Sequence, residues 1–244
     1  MDQHPLIVAN WKMNKTIADA VLDFEMIKNG LENIDDIKAV ICPSYVWLAP
    51  LAEIAKTHSV RQLALGAQNV SNEEKGAFTG EVSAQMLKNL VEYCIVGHSE
   101  QVAHFGESPE QTRAKVNLLL KNQITPIACV GENVKSDNSI FEVINIAKQI
   151  LKDLAAPQRR AVILCYEPVW AISSNPNAQP ATGGYAGKVA RALSKEFPAT
   201  KILYGGSVDS KNIREFTVQD SIGGALVGSA SLDPKEFLEI LRNA

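Results

Sequence analysis

The sequence predicts a protein of the α/β class that folds as a (β/α)8 barrel. Eight short apolar runs recur along the 244 residues, and stretches of helical periodicity separate them. The runs show little polar alternation, which is typical of parallel strands covered on both faces. Eight such alternations in a chain near this length are typical of a closed parallel barrel. The runs are Leu6–Ala9, Ala39–Cys42, Leu63–Ala67, Tyr93–Val96, Pro126–Val130, Ala161–Tyr166, Ile202–Tyr204 and Ala225–Val227.

The first and last helices show how the intervening segments are assigned. Apolar residues spaced by four, three and three predict the first helix, and they are Ile17, Val21, Phe24 and Ile27. Asn29-Gly30 then provides a stop signal for that helix. Phe237, Leu238 and Leu241 repeat the helical spacing at the end of the chain.

A doubly wound open sheet has a similar rhythm, so the nucleotide-binding motifs of that fold are the discriminating feature. No G-x-G-x-x-G follows the first strand, and Gly183–Val189 fits neither that motif nor a phosphate-binding P-loop. No linker or charge block divides the chain, so residues 1–244 are predicted to form one barrel domain. The irregular segment Ser173–Gly184 follows the sixth strand, where a long loop is predicted to act as a lid.

Composition excludes several classes of function. Lys and Arg total 24 and Asp and Glu total 27, and the net charge of −3 argues against a nucleic-acid partner. No apolar stretch is long enough to span a membrane and no secretion signal is visible, so a cytoplasmic protein is expected. The four cysteines lie far apart without ligand spacing, which predicts neither a disulfide framework nor a metal centre.

Candidate catalytic residues follow the apolar runs, because barrel enzymes place their sites at the carboxyl ends of the strands. The first run leads to Lys12, the fourth to His98 and the sixth to Glu167. The last two runs lead to Gly205-Gly206-Ser207 and Gly228-Ser229, small-residue turns whose backbone N–H groups can bind a phosphate. A base, a hydrogen-bond donor, a cation and a phosphate site suit proton abstraction beside the carbonyl of a small phosphorylated sugar.

Each of these residues also has a structural interpretation. Glu167 could belong to a buried ion pair, although desolvation where it leaves its strand would make it a better base. His98 could be an ordinary surface or core histidine, and Lys12 a solvated charge. The glycines could simply make tight turns.

Seven sequence blocks resemble the triosephosphate isomerase family, from the first strand to the last. The blocks are Ala9–Asn14, Gly66–Val70, Gly76–Glu81, Val96–Glu100, Cys129–Glu132, Tyr166–Ala171 and Tyr204–Val208. The resemblance implies interconversion of dihydroxyacetone phosphate and glyceraldehyde 3-phosphate, without a cofactor, in glycolysis and gluconeogenesis. It also implies a cytoplasmic homodimer with a small phosphorylated triose as substrate.

The resemblance assigns catalytic roles to three residues. Glu167 would move the proton between the substrate carbons, His98 would polarise the carbonyl, and Lys12 would bind substrate through its charge. Further substrate contacts would come from Asn10, Ser173, Ser207, Gly228 and Ser229. Supporting positions would be Glu100, Glu132, Trp170 and Tyr204, and the dimer contacts would include Thr79 and Glu81.

Three departures from the family pattern carry expectations of their own. The lid reads Ser173-Ser174-Asn175-Pro176 in place of Gly-Thr-Gly-Lys, so its hinge should differ. Gln101-Val102 replaces Arg-Arg, which affects the expected dimer strength, and Gly228-Ser229 replaces Gly-Gly beside the phosphate. One alternative is a paralogue that binds triose phosphates with impaired turnover. A Schiff-base aldolase and a metal-dependent epimerase are disfavoured, because the sixth strand ends in Glu167 rather than lysine and no paired His and Asp ligands follow the strands.

Overall fold

In a computed structural model that describes residues 4–57, 60–171 and 180–244, eight parallel strands close into a barrel in sequence order. Each strand pairs with the next along the chain, and β8 pairs with β1. The predicted (β/α)8 barrel is therefore confirmed. The strands are β1 (Leu6–Asn10), β2 (Lys38–Cys42), β3 (Leu63–Ala67), β4 (Tyr93–Val96), β5 (Thr125–Val130), β6 (Ile163–Tyr166), β7 (Ile202–Tyr204) and β8 (Gly224–Val227).

Helices surround the barrel, and several begin at side-chain caps that the sequence supplies. Thr16 accepts a hydrogen bond from the N–H of Asp19 in a capping box before α1, and Ser108 does the same for Gln111 before α5. The helices of the described chain are α1 (Ile17–Leu31), α2 (Tyr45–Thr57), α3 (Ala84–Leu87), α4 (Ser99–Phe105), α5 (Pro109–Lys121), α6 (Ser139–Ile150), α7 (Ala156–Arg160), α8 (Gly183–Glu196), α9 (Ile213–Thr217) and α10 (Pro234–Asn243). Short 3-10 helices cover Val169–Ala171 and Ser229–Leu232.

The core has two layers, which explains why the strand sequences lack polar alternation. In β1, Leu6 and Val8 face the barrel interior, whereas Ile7 and Ala9 pack in the layer between barrel and helices. All four side chains are essentially inaccessible to water. A strand buried on both faces needs apolar residues at every position.

One predicted helix boundary is wrong. The stop signal at Asn29-Gly30 does not end α1, which continues to Leu31. A Cβ atom on Gly30 would lie 2.5 Å from a methyl carbon of Leu238. The glycine therefore permits close packing of α1 against α10, and this contact between distant parts of the chain overrides the local signal.

Candidate active site

The carboxyl ends of the strands surround a cavity of about 220 Å³. The structure brings seven predicted site residues together in its lining, and they are Asn10, Lys12, His98, Glu167, Ser207, Gly228 and Ser229. Asp209 and Asn212 also line it and were not singled out from the sequence. Ser173 and the rest of the predicted lid through residue 179 lie outside the described residues.

Glu167 follows β6 directly and is 2% exposed, so its carboxylate is held inside the protein. Its Oε2 accepts a hydrogen bond of 2.9 Å from the backbone N–H of Ser99. Its Oε1 lies 3.2 Å from His98 Nε2 but has no hydrogen-bond partner in the described chain. A buried carboxylate oxygen without a partner is costly, and such groups are characteristic of functional sites.

His98 occupies the N-cap of α4, one residue after a left-handed Gly97 with φ of 67°. Its Nδ1 accepts a hydrogen bond of 3.2 Å from the backbone N–H of Glu100. Because Nδ1 accepts, the proton of the neutral imidazole lies on Nε2, the nitrogen beside Glu167. The cap thus orients a hydrogen-bond donor toward the base.

Lys12 has a left-handed backbone with φ of 51°, which is unusual for a residue with a side chain. Its N–H donates to Asn10 Oδ1 at 3.0 Å, and its carbonyl accepts from Gln68 Nε2 at 2.8 Å and from Ser44 Oγ at 3.1 Å. These contacts hold the strained backbone in place. The sequence did not predict Gln68 and Ser44 as site residues, although Gln68 lies in one of the family blocks just after β3.

The Lys12 ammonium pairs with Glu100, whose Oε1 lies 2.6 Å from Nζ. Burial raises the pKa of Glu100, but the hydrogen bond and charge of Lys12, with smaller contributions from His98 and His104, outweigh it and leave the pKa below its ordinary value. Glu100 is therefore ionised at neutral pH and anchors the cation.

A buried network behind His98 was not predicted. Glu107 Oε1 accepts from the N–H of Gly97 at 3.0 Å and from Thr112 Oγ1 at 2.8 Å, and its Oε2 pairs with Lys115 Nζ at 2.6 Å. Lys115 also donates to Asn69 Oδ1 at 2.9 Å. This network fixes the backbone immediately before His98. Asn69 is distant in sequence from the other members, which lie between residues 97 and 115 but follow no regular spacing.

Glu132 and Trp170, two predicted supporting residues, meet behind the site. Glu132 is 2% exposed, and its Oε1 accepts from Tyr166 Oη at 2.9 Å, from Trp170 Nε1 at 2.8 Å and from Tyr185 Oη at 3.4 Å. Burial, followed by the charge of Glu132, raises the pKa of Tyr166, so its hydroxyl stays a donor. The carboxylate holds Trp170 at the entrance to the predicted lid segment.

At the predicted phosphate site, the turns after β7 and β8 differ from each other. Gly228-Ser229 leads straight into the 3-10 helix Ser229–Leu232, whereas α9 begins only at Ile213, well after Ser207. The hydroxyl of Ser207 donates to the carbonyl of Ala171 at 2.8 Å, so it links β7 to the segment after β6.

The remaining predicted residues lie away from the cavity. Tyr204 is buried and its ring stacks on Phe216, with centroids 3.9 Å apart. Thr79 and Glu81 are exposed on the loop between β3 and α3. The structure of one chain does not test their dimer role, which stays a prediction.

Comparison with known proteins agrees with this geometry. The triosephosphate isomerase family model matches residues 5–244. A triosephosphate isomerase of Dehalococcoides mccartyi is 39% identical over 245 residues, covering 98% of this chain and 96% of that protein. One from Endomicrobium trichonymphae is 36% identical and covers 98% of both chains. The crystal structure of triosephosphate isomerase from Bartonella henselae superposes with a TM-score of 0.84 at 30% identity, covering 97% of each chain.

The fold and the residues at the carboxyl ends of the strands, which form the rim of the barrel, together define an acid–base enzyme of the (β/α)8-barrel class. A carboxylate, an imidazole and a lysine surround one cavity at this rim. Within that class, the match over nearly the whole length is decisive. The chain belongs to the triosephosphate isomerase family.

Proposed function

We propose that this chain interconverts dihydroxyacetone phosphate and glyceraldehyde 3-phosphate through an enediolate. The observation that carries the proposal is the pairing of Glu167 and His98, whose Oε1 and Nε2 atoms lie 3.2 Å apart beside the strand-end cavity. The family assignment favours this activity over the binding paralogue. Nothing in the described residues favours impaired turnover.

The two side chains divide the chemistry. Glu167 takes a proton from the substrate carbon next to the carbonyl, while the Nε2–H of His98 donates a hydrogen bond to the carbonyl oxygen as negative charge develops there. The neutral tautomer set by the N–H of Glu100 leaves that donor available. His98 gives its Nε2 proton to the former carbonyl oxygen and takes one from the neighbouring hydroxyl, and Glu167 returns its proton to the neighbouring carbon, which completes an aldose–ketose exchange. No step of this scheme uses a metal or cofactor, and that independence stays a prediction.

Substrate binding is assigned to residues that follow β1, β7 and β8. The ammonium of Lys12 supplies positive charge and Asn10 holds the Lys12 backbone. The backbone N–H groups of Ser207, Gly228 and Ser229 would bind the phosphate. In the proposal, the N–H of Ser173 completes this phosphate site.

The proposal includes a homodimer of single-domain chains, residues 1–244, in the cytoplasm. Exposed apolar side chains on the first four strand-end loops and their helices support the dimer, because a monomer gains nothing from exposing them. They include Met13, Val46, Phe78, Met86 and Val102. Thr79 and Glu81 lie in the same loop as Phe78, which makes that loop the expected projection into a partner. No described helix is both long and apolar enough to cross a bilayer.

A Glu167→Gln variant tests the activity. Replacing the carboxylate removes the base and keeps the shape, so turnover should fall by about 10³-fold or more while the fold is retained. The assay follows glyceraldehyde 3-phosphate by NMR and quantifies dihydroxyacetone phosphate and methylglyoxal in the same sample. Glu25→Gln, an exposed carboxylate on α1, is the matched control and should be fully active.

The outcomes separate the two functions. Isomerisation by the unaltered chain, lost in Glu167→Gln, supports the proposal. Binding of a phosphoglycolate analogue without any product would support the paralogue instead. Light scattering tests the dimer, and a fully active monomer would show that the interface assignment is wrong.

A further inference from the structure

Two cysteines that are distant in sequence meet beside the catalytic base. Cys129 and Cys165 are register partners on the neighbouring strands β5 and β6, and both side chains point into the barrel interior. Their Sγ atoms and a carboxylate oxygen of Glu167 all lie within 4.8 Å of one another, and all three residues are buried. The spacing of these residues in the sequence did not indicate this group, because the pairing of β5 with β6 brings the two cysteines together.

One oxygen of the carboxylate forms no hydrogen bond within residues 4–57, 60–171 and 180–244. Glu167 Oε2 is bound by the N–H of Ser99, whereas the buried Oε1 has only His98 Nε2 nearby, at 3.2 Å. Gly205 keeps the thiol and the carboxylate together, because a Cβ atom there would lie 2.6 Å from Cys165 Sγ and 2.8 Å from Glu167 Cγ. Two sulfurs and one carboxylate oxygen form a donor set suited to a thiophilic divalent cation.

We propose that Cys129, Cys165 and Glu167 form an inhibitory site for Zn²⁺. Binding would replace the two thiol protons, forming two Zn–S bonds and one Zn–O bond and releasing two protons to solvent. No oxidant or reductant is needed. This goes beyond the isomerase reaction, which uses Glu167 as a free carboxylate, and it rests on the proposed function only for the expected loss of activity.

The ion has a route that the substrate does not share. Cys129 and Glu167 also line a second cavity of about 410 Å³, which lies between the strand ends and the helices α4, α5 and α6. Its walls include Val102, Ile146 and Ile150. A cation entering there would reach Glu167 first and then the two sulfurs inside the barrel. It would then hold Glu167 against Ser99 and occupy the oxygen needed for proton transfer.

Metal titration of the full chain, kept reduced with a phosphine, tests the site. Cd²⁺ serves as a spectroscopic probe because cadmium–thiolate bonds absorb in the ultraviolet, and Zn²⁺ binding is measured by calorimetry. We expect one ion per chain, absorption from two thiolates, and loss of isomerase activity that follows site occupancy and is reversed by a chelator.

Three variants distinguish this site from surface binding. Cys165→Ala and Cys129→Ala, each checked for folding by circular dichroism, should stay active and bind Zn²⁺ at least about tenfold more weakly. Cys42→Ala is the matched control, since Cys42 is equally buried in the barrel interior but outside the group, and it should bind like the unaltered chain. Equal inhibition of all three variants by Zn²⁺ would overturn the proposal.

The two proposals can fail separately. Cadmium–thiolate absorption is measured without substrate, so an inactive chain that binds one Cd²⁺ through two thiolates would contradict the isomerase assignment and retain the metal site. An active chain without that absorption would overturn the metal site alone.

Discussion

The rim at β4 and β6 is built differently from the rim at β7 and β8. At β4 and β6, His98 and Glu167 act through side chains, and backbone N–H groups of α4 hold both of them. At β7 and β8, the turns Gly205-Gly206-Ser207 and Gly228-Ser229 offer mainly backbone. Proton transfer needs particular side chains at fixed distances, whereas an anion needs only convergent N–H groups. The half of the rim at β4 and β6 therefore requires a supporting network, and the half at β7 and β8 requires small residues.

The largest effect is expected when the buried Glu107–Lys115 pair behind His98 is broken. Lys115→Met leaves Glu107 buried without its cation, and breaking a buried pair in this way costs about 3–5 kcal/mol of stability. Denaturant unfolding measures the loss. Lys121→Met, on the same helix but in an exposed pair with Glu74, should cost less than about 1 kcal/mol. Similar losses in the two variants would show that the buried network is not essential.

The imidazole of His98 should give the next largest effect. His98→Leu removes the Nε2–H donor without supplying another, and loss of one such donor lowers kcat by about 10²–10³-fold. The KM should change little, because the proposed phosphate site lies at the ends of β7 and β8. Steady-state kinetics measure both constants, with His104→Leu, an exposed histidine of the same helix, as the control. A variant whose KM rises while kcat is unchanged would assign His98 to binding instead.

The sequence predicts site residues best where their position at the end of a strand decides where they lie in the fold. The eight apolar runs predicted the barrel, and the residues that follow them predicted Lys12, His98 and Glu167 at one rim, where the structure places all three. Contacts between distant segments were not predictable in this way. Lys115 with Asn69, and Cys129 with Cys165, become neighbours only when helices and strands pack.

The position of Gly30 inside α1 likewise could not be predicted from the local sequence. Gly30 has the local signature of a helix stop, yet the packing of Leu238 against it keeps the residue inside α1. A local propensity of about 1 kcal/mol is outweighed by such a tertiary contact. The tight turns after β7 and β8 were recognised because turn chemistry is local.

A smaller effect is expected at the Lys12–Glu100 pair, which joins the two halves of the rim. The pKa of Glu100 lies below its ordinary value of 4.5, because the hydrogen bond and charge of Lys12, with smaller contributions from His98 and His104, together exceed the effect of burial. The pair therefore stabilises the fold above that value, and the contribution disappears as pH falls through the lowered pKa. The side chains are partly exposed, so the contribution should be at most about 1 kcal/mol.

Glu100→Gln measures this contribution directly. The difference in unfolding free energy between the unaltered chain and the variant should be present at neutral pH and vanish in acid. A difference that grew on acidification would have the wrong sign and would contradict the lowered pKa.

The smallest effect is expected on the backbone half of the rim. Ser229→Gly removes a hydroxymethyl group beside the proposed phosphate site but keeps the N–H that is proposed to bind the phosphate, so KM should change by less than about threefold, or roughly 0.7 kcal/mol. Steady-state kinetics and inhibition by inorganic phosphate measure the change. A tenfold rise in both constants would mean that the Ser229 hydroxyl itself binds the phosphate. The division between a side-chain half and a backbone half would then fail at β8, where this chain departs from the family pattern.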